Sequence, residues 1–190
     1  MTHRELIDCL EASPIVAAVN NDEALRKAVD TDTGLIFVLY GDVSNVRDIV
    51  HKIKASGKAA IVHMDLINGL SPKEAAVDFI KKYTVADGII TTKPSLVPCA
   101  KERGLLAILR LFMIDSRALK SVEKIGKGEM PDIIEILPGI MQPVFIEHVS
   151  KIARVPLMSS GLITTKSDVM SALNHGAIAV STTDPHVWEL

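Results

Sequence analysis

The stretches VPLMSSGL (155–162) and AIAVSTTDPHVWEL (177–190), separated by one helix-length interval, decide the fold. Each opens on a short apolar run of strand length and breaks into Ser, Gly or Thr at its end. The second closes on a turn or short helix over 184–188. Two consecutive strands with donor-rich ends, followed by a short extra helix, are how the seventh and eighth strands of a β/α barrel present a phosphate site.

Toward the N-terminus the same unit recurs. Apolar, β-branched runs predict strands at 15–19, 35–40, 59–64, 88–91, 105–111, 133–137, 156–160 and 177–181. Helix-periodic segments fall between them, at 22–29, 43–55, 72–82, 95–103, 116–126, 143–153 and 166–174. Pro72 stands where a first helical turn accepts proline, Asp115 where an N-cap belongs, and Gly57, Gly104 and Gly176 where helices stop. Eight strands with a crossover helix after nearly every one predict a compact (β/α)8 barrel of the TIM type, with short loops and a short C-terminal helix. An open, doubly wound sheet would give similar alternation, and the 155–190 segment is what favours closure.

The 190 residues, 48% of them hydrophobic, suffice for one sizeable core, so a single domain is expected over 1–190. Cys9 and Cys99 lack the spacing of a zinc or redox motif. The N-terminal stretch carries Arg4, Glu5, Asp8 and Glu11, unlike a secretory leader, and no apolar run approaches the ~20 residues of a membrane span. A cytoplasmic protein without a membrane partner is the expectation. The net charge of −2 hides an uneven distribution: ten basic residues against four acidic ones lie between Lys81 and Lys127. Such asymmetry fits a polyanion-facing side, although ordinary solvated helix faces read the same way.

The richest constellation is Ser160 and Gly161 with Thr182 and Thr183, on strand ends that a barrel sets side by side. Gly161 admits close backbone approach and the hydroxyls offer donors, while the helix start near Thr165 could aim free amides at a dianion. A second group sits at other strand ends. Asp65 and Asn68 follow strand three, Lys93 follows strand four, Arg110 closes strand five and Glu135 lies within strand six. Carboxylates accept from polyol hydroxyls, and cations offset phosphate charge. The bland alternative for each is a mutually satisfied ion pair at the barrel mouth.

His63 and Asp65, two apart, would share one face of a strand, which invites a metal or acid/base role, but no third ligand with a known spacing accompanies them. His186 and Trp188 read as lid or packing residues, and Phe112, Met113 and Met158 as core. There is no Gly-x-Ser-x-Gly elbow, so no catalytic residue is nominated.

The segments HMDLING (63–69), GIITTK (88–93), RLFMIDS (110–116), IEILPG (134–139), SGLI (160–163) and AVSTT (179–183) through Trp188, taken together, resemble the glycerol uptake operon antiterminator family over nearly the whole chain. The chain departs from that pattern at Ser159, Lys93, Leu109 and Ser181–Asp184. The resemblance implies a barrel-fold regulator, not an enzyme, that takes glycerol 3-phosphate as effector, needs no cofactor, and binds the leader mRNA of glycerol-catabolic genes so that polymerase reads through a terminator. On this reading the strand 7 and 8 loops hold the phosphate, while Asp65, Arg110 and Glu135 read the polyol.

An RNA-facing patch is expected from Lys81, Lys82, Lys101, Arg103, Arg117, Lys120 and Lys124, on three helices consecutive in the outer ring. Self-association is left open. The rival readings are a small barrel enzyme acting on a triose or glycerol phosphate with the same mouth residues, and a sensor that engages a protein in place of RNA.

Overall fold

A computed structural model describes residues 1–125 and 130–190. Eight parallel strands close into a barrel in chain order: β1 (Ile15–Val19), β2 (Leu35–Val38), β3 (Ala59–His63), β4 (Gly88–Thr91), β5 (Leu106–Phe112), β6 (Ile133–Leu137), β7 (Leu157–Ser160) and β8 (Ala179–Thr182), with β8 pairing back onto β1. The predicted barrel is therefore observed and the open sheet is excluded. β2 and β3 are shorter than their predicted runs, because Leu39, Tyr40 and Met64 already belong to the loops at the mouth, whereas β1, β4 and β6 keep their predicted bounds.

The outer ring is α2 (Asp22–Val29), α3 (Val46–Ala55), α4 (Glu74–Tyr83), α5 (Leu96–Glu102), α6 (Ser116–Lys124), α7 (Pro143–Ile152) and α8 (Lys166–Asn174), closed by a short α9 (Pro185–Trp188). Helix α4 starts two residues after Pro72, with Lys73 in extended conformation as its N-cap. Asp115 caps α6, accepting from the Arg117 and Ala118 amides. The end of the helix predicted to reach residue 126, and Lys127, lie outside the described residues.

Strand alternation sorts the apolar residues into two cores. One parity, including Val19, Val38, Val62, Ile89 and Ile136, faces the helices. The other, including Phe37, Ile61, Ile90, Ile108 and Met158, fills the barrel interior.

One element was not anticipated. Helix α1 (His3–Ala12) precedes β1, held by a Thr2–Glu5 capping box, and its Leu6 and Leu10 enter the interior core from the end where the strands begin. Both leucines are fully buried, so each contributes about 1.5–3 kcal/mol of burial. Two matching locks frame this plug. Asp87, just before β4, accepts from Lys54 of α3 at 2.7 Å and from the Ala60 amide, and Asp132, just before β6, accepts from Lys101 of α5 at 2.6 Å and from the Ala107 amide. The α1 segment joins both, through the terminal amine to Asp87 and His3 to Asp132. The barrel is thus sealed at one end, which leaves the opposite end as the place where a ligand can enter.

Candidate ligand-binding mouth

Arg110 and Glu135 are register partners on adjacent strands, and both point inward. Arg110 donates from Nε to Glu135 Oε2 at 2.6 Å and from Nη2 to Oε1 at 3.1 Å. Ser160 lies two residues beyond Met158, the register partner of Glu135 on β7, and so turns the same way; its hydroxyl donates to Glu135 Oε1 at 2.6 Å. Glu135 is fully buried and Arg110 nearly so, an arrangement tolerated because the fork-to-carboxylate geometry and the third donor replace water.

His63 ends β3 with the same inward parity as Ile61 and is 2% exposed. Burial first, and then the Arg110 charge, push its imidazole down to about 4, against the opposing pull of Glu135 and Asp65. It is therefore neutral near pH 7, and its Nδ1 has no hydrogen-bond partner among the described residues. With buried Ser181, these groups form a polar floor over the apolar interior.

Above the floor the loops are sewn together on one side. The Gly139 amide donates to the Gly161 carbonyl at 2.9 Å, and the Gly161 amide reaches toward the Ser181 carbonyl at 3.4 Å. Thr182 donates its hydroxyl to the Ile163 carbonyl at 2.6 Å, and the Trp188 indole donates to the Thr182 carbonyl at 2.8 Å. Gly161 and Leu162 both adopt positive φ, 82° and 61°, so the chain turns sharply at this rim. A side chain at Gly139 would collide with Ile163 and the Gly161 carbonyl, so the β6 and β7 loops meet only because glycine stands there.

The sequence-predicted residues fall into three groups. Arg110, Glu135 and Ser160 converge on the floor, while Gly161, Thr182 and the exposed Thr183 share the β7/β8 rim. The hydroxyls of Ser160 and Thr182 are committed to Glu135 and Ile163, so of the hydroxyl residues named at this rim Thr183 is the exposed one. Asp65 leaves the strand: a 3-10 turn over Met64–Leu66 redirects it, and its carboxylate accepts from the Thr91 hydroxyl and from the Thr92 amide and hydroxyl. It ties the β3 loop to β4 and does not share a face with His63. Asn68 bridges Asp42 at the loop edge, and Lys93 is exposed, donating to the Pro72 carbonyl at 3.2 Å.

At the helix start after Thr165, Asp168 accepts from the Thr164 and Thr165 amides and the Thr165 hydroxyl accepts from the Asp168 amide, so these three donors are engaged in capping. Trp188 is a packing residue, 3% exposed. Among the described residues no group of three or more His, Cys, Asp or Glu is placed to hold a metal.

Phe112 corrects another expectation. It is half exposed, with Ile114, Ile140 and Leu162 also exposed on the β5, β6 and β7 loops and Val144 in the first turn of α7, so one lip of the mouth is apolar. Phe112 is the last residue of β5 and rises beyond the floor, where the interior no longer has atoms to cover it. Met158 is core, and Met113 is partly buried and packed against the outer core.

The basic residues are also more dispersed than expected. Lys81, Lys82, Lys101 and Lys124 lie in last helical turns, at the sealed end, whereas Arg117 is in the first turn of α6 at the mouth end. Lys101 is bound to Asp132, and Arg103 pairs with Asp78 and Glu102. That leaves Lys81, Lys82, Arg117, Lys120 and Lys124 without an ion pair among the described residues. Helix geometry, with its 1.5 Å rise per residue, separates what sequence order joined.

Fold and mouth together define a TIM-type barrel with one plugged end and one polar-floored, glycine-turned mouth. Within that class the chain belongs to the glycerol-3-phosphate responsive antiterminator family, whose model matches residues 15–188. It is 41% identical over 185 residues to the uncharacterized protein YgcP of Escherichia coli, covering 97% of this chain and 96% of that one. Among solved structures, the glycerol uptake operon antiterminator regulatory protein of Listeria monocytogenes superposes with a TM-score of 0.86 at 35% identity, over 93% of this chain and 95% of that one. A glycerol uptake operon antiterminator-related protein of Thermotoga maritima gives 0.79 at 32% identity, over 93% and 98%. No helix among the described residues is long and apolar enough to cross a membrane.

Proposed function

We propose that this chain is a cytoplasmic glycerol 3-phosphate sensor that binds the leader mRNA of glycerol-catabolic genes and permits transcriptional read-through. The observation that carries the reading is the pairing of a buried, charge-balanced floor, Arg110–Glu135–Ser160, with the glycine-turned β7/β8 rim. The rim offers backbone and Thr183 to a phosphate, Lys93 stands across the mouth as an exposed cation, and the floor suits the polyol end. Nothing in this division of labour requires a bond to be made or broken.

Ligand shifts RNA affinity only as far as its own affinity differs between the two protein states, so RNA tightens ligand by the same factor. Calorimetric titration of glycerol 3-phosphate, glycerol 1-phosphate and inorganic phosphate, with and without a glycerol-operon leader RNA, tests ligand and coupling together. Tighter glycerol 3-phosphate binding in the presence of RNA is the expected result. Absence of glycerol 3-phosphate binding, or identical affinity with and without RNA, overturns the reading. Consumption of glycerol 3-phosphate during the titration would promote the enzymatic alternative.

A further inference from the structure

Among the described residues, the floor of the mouth holds one buried polar atom with nothing to bond. Glu135 accepts from Arg110 Nε, Arg110 Nη2 and the Ser160 hydroxyl, so its carboxylate and the Arg110 charge are engaged with each other. His63, in the same layer and 2% exposed, keeps Nδ1 unpartnered. A buried polar atom left without a partner carries a desolvation cost that a bound hydroxyl can relieve. We propose that His63 is the specificity residue of the mouth, exchanging a hydrogen bond through Nδ1 with a hydroxyl of the bound phosphorylated polyol, so that the floor selects a hydroxyl and refuses a second negative charge. This rests on the glycerol 3-phosphate reading above and names how its polyol end is recognised.

The refusal follows from charge. Arg110 is already neutralised by Glu135, and His63 is neutral, so the floor offers no uncompensated cation. A carboxylate carried down to it would be buried beside Glu135 without a counter-ion, which is costly. A hydroxyl meets no such penalty, because it can donate to or accept from an imidazole nitrogen according to tautomer. The predicted discrimination is therefore between glycerol 3-phosphate and 3-phosphoglycerate, which differ at that end by hydroxymethyl against carboxylate.

Calorimetry on the wild type, His63→Leu and His63→Gln, with glycerol 3-phosphate, 3-phosphoglycerate and inorganic phosphate, tests the proposal. His63→Leu is expected to weaken glycerol 3-phosphate by about tenfold or more, with inorganic phosphate unchanged and the melting temperature equal or higher, since an unsatisfied polar atom has been removed. His63→Gln is expected to recover part of the loss. On the wild type, 3-phosphoglycerate is expected to bind about tenfold or more weaker than glycerol 3-phosphate.

In the labelled wild-type protein, the His63 Nδ1 nitrogen resonance is expected to move on saturation with glycerol 3-phosphate and to stay in place with inorganic phosphate. This measurement decides the matter even if His63→Leu does not fold. Wild-type affinity for glycerol 3-phosphate in His63→Leu, or an unmoved Nδ1 resonance at saturation, overturns the role of His63 alone. A wild-type protein that does not bind glycerol 3-phosphate sinks the underlying reading instead.

Discussion

Where the strands begin, Asp87 and Asp132 each bind a lysine, a backbone amide and the α1 segment, and Leu6 and Leu10 fill the interior. Where the strands end, His63 keeps a nitrogen unbonded among the described residues, two successive residues take positive φ, and Phe112, Ile114, Ile140, Val144 and Leu162 stand in solvent. One end satisfies its groups and the other leaves several unmet. A fold gains stability by satisfying groups, whereas a ligand gains affinity only from groups the fold has left unsatisfied, so substitutions at the two ends should separate stability from binding.

The largest effect is expected at the floor. Glu135→Gln leaves the Arg110 charge buried against a neutral amide and should cost about 3–5 kcal/mol of stability, together with ligand affinity. Replacing both partners, Arg110→Met with Glu135→Leu, should return most of that stability and none of the affinity, as read by denaturant melts beside calorimetry. If the double replacement still bound glycerol 3-phosphate, the floor would be part of the scaffold alone.

Leu10→Ala supplies the converse. It opens a void beneath the plug and should cost about 2–5 kcal/mol, while ligand affinity at a temperature where the protein is folded stays at the wild-type value. A matching loss of affinity would mean that the two ends are not independent.

Acid offers a third separation. His63 is held down to about 4 in the folded chain against an ordinary 6.5. The unfolded chain therefore takes up a proton first as pH falls, and stability is lost progressively between those two values and is level with respect to this group outside them. The full loss is about 3 kcal/mol. His63→Leu should flatten that part of the stability curve, as read by denaturant melts across pH 4 to 6.5.

The division between ends also marks what the sequence made legible. Strand order and closure could be read from the recurring unit, because short continuous apolar runs, helix stops and the Ser-Gly and Ser-Thr-Thr loops are local signals. Arg110, Glu135 and Ser160 could be nominated as strand-end polar groups, but their mutual bonding depends on register across β5, β6 and β7, which no local pattern prints. The same absence hid the plug: α1 is amphipathic, yet nothing in HRELIDCLEA says that Leu6 and Leu10 face a barrel interior. Phe112 failed for a related reason, since an apolar residue at a strand end is core or lip according to how far the strand rises above its neighbours. The orphaned nitrogen of His63 was out of reach, because it is defined by partners that are missing in space.

The smallest effect concerns the outer surface and puts the comparison under its hardest strain. The unpaired lysines of α4 and α6 lie mostly toward the sealed end, whereas the candidate ligand site is at the mouth. Charge reversal at Lys120 and Lys124 should lower RNA affinity about uniformly across sequences and reduce the salt slope by about 1 for each phosphate no longer neutralised, with affinity for glycerol 3-phosphate alone unchanged. Lys101→Glu should act differently, disturbing the Asp132 lock and showing its cost in stability. If reversal at Lys120 and Lys124 leaves RNA binding and its salt slope untouched, RNA approaches elsewhere, and the mouth with its apolar lip and Arg117 becomes the surface to test. In that case ligand and RNA would meet on one face, and coupling between them would need no change carried through the barrel.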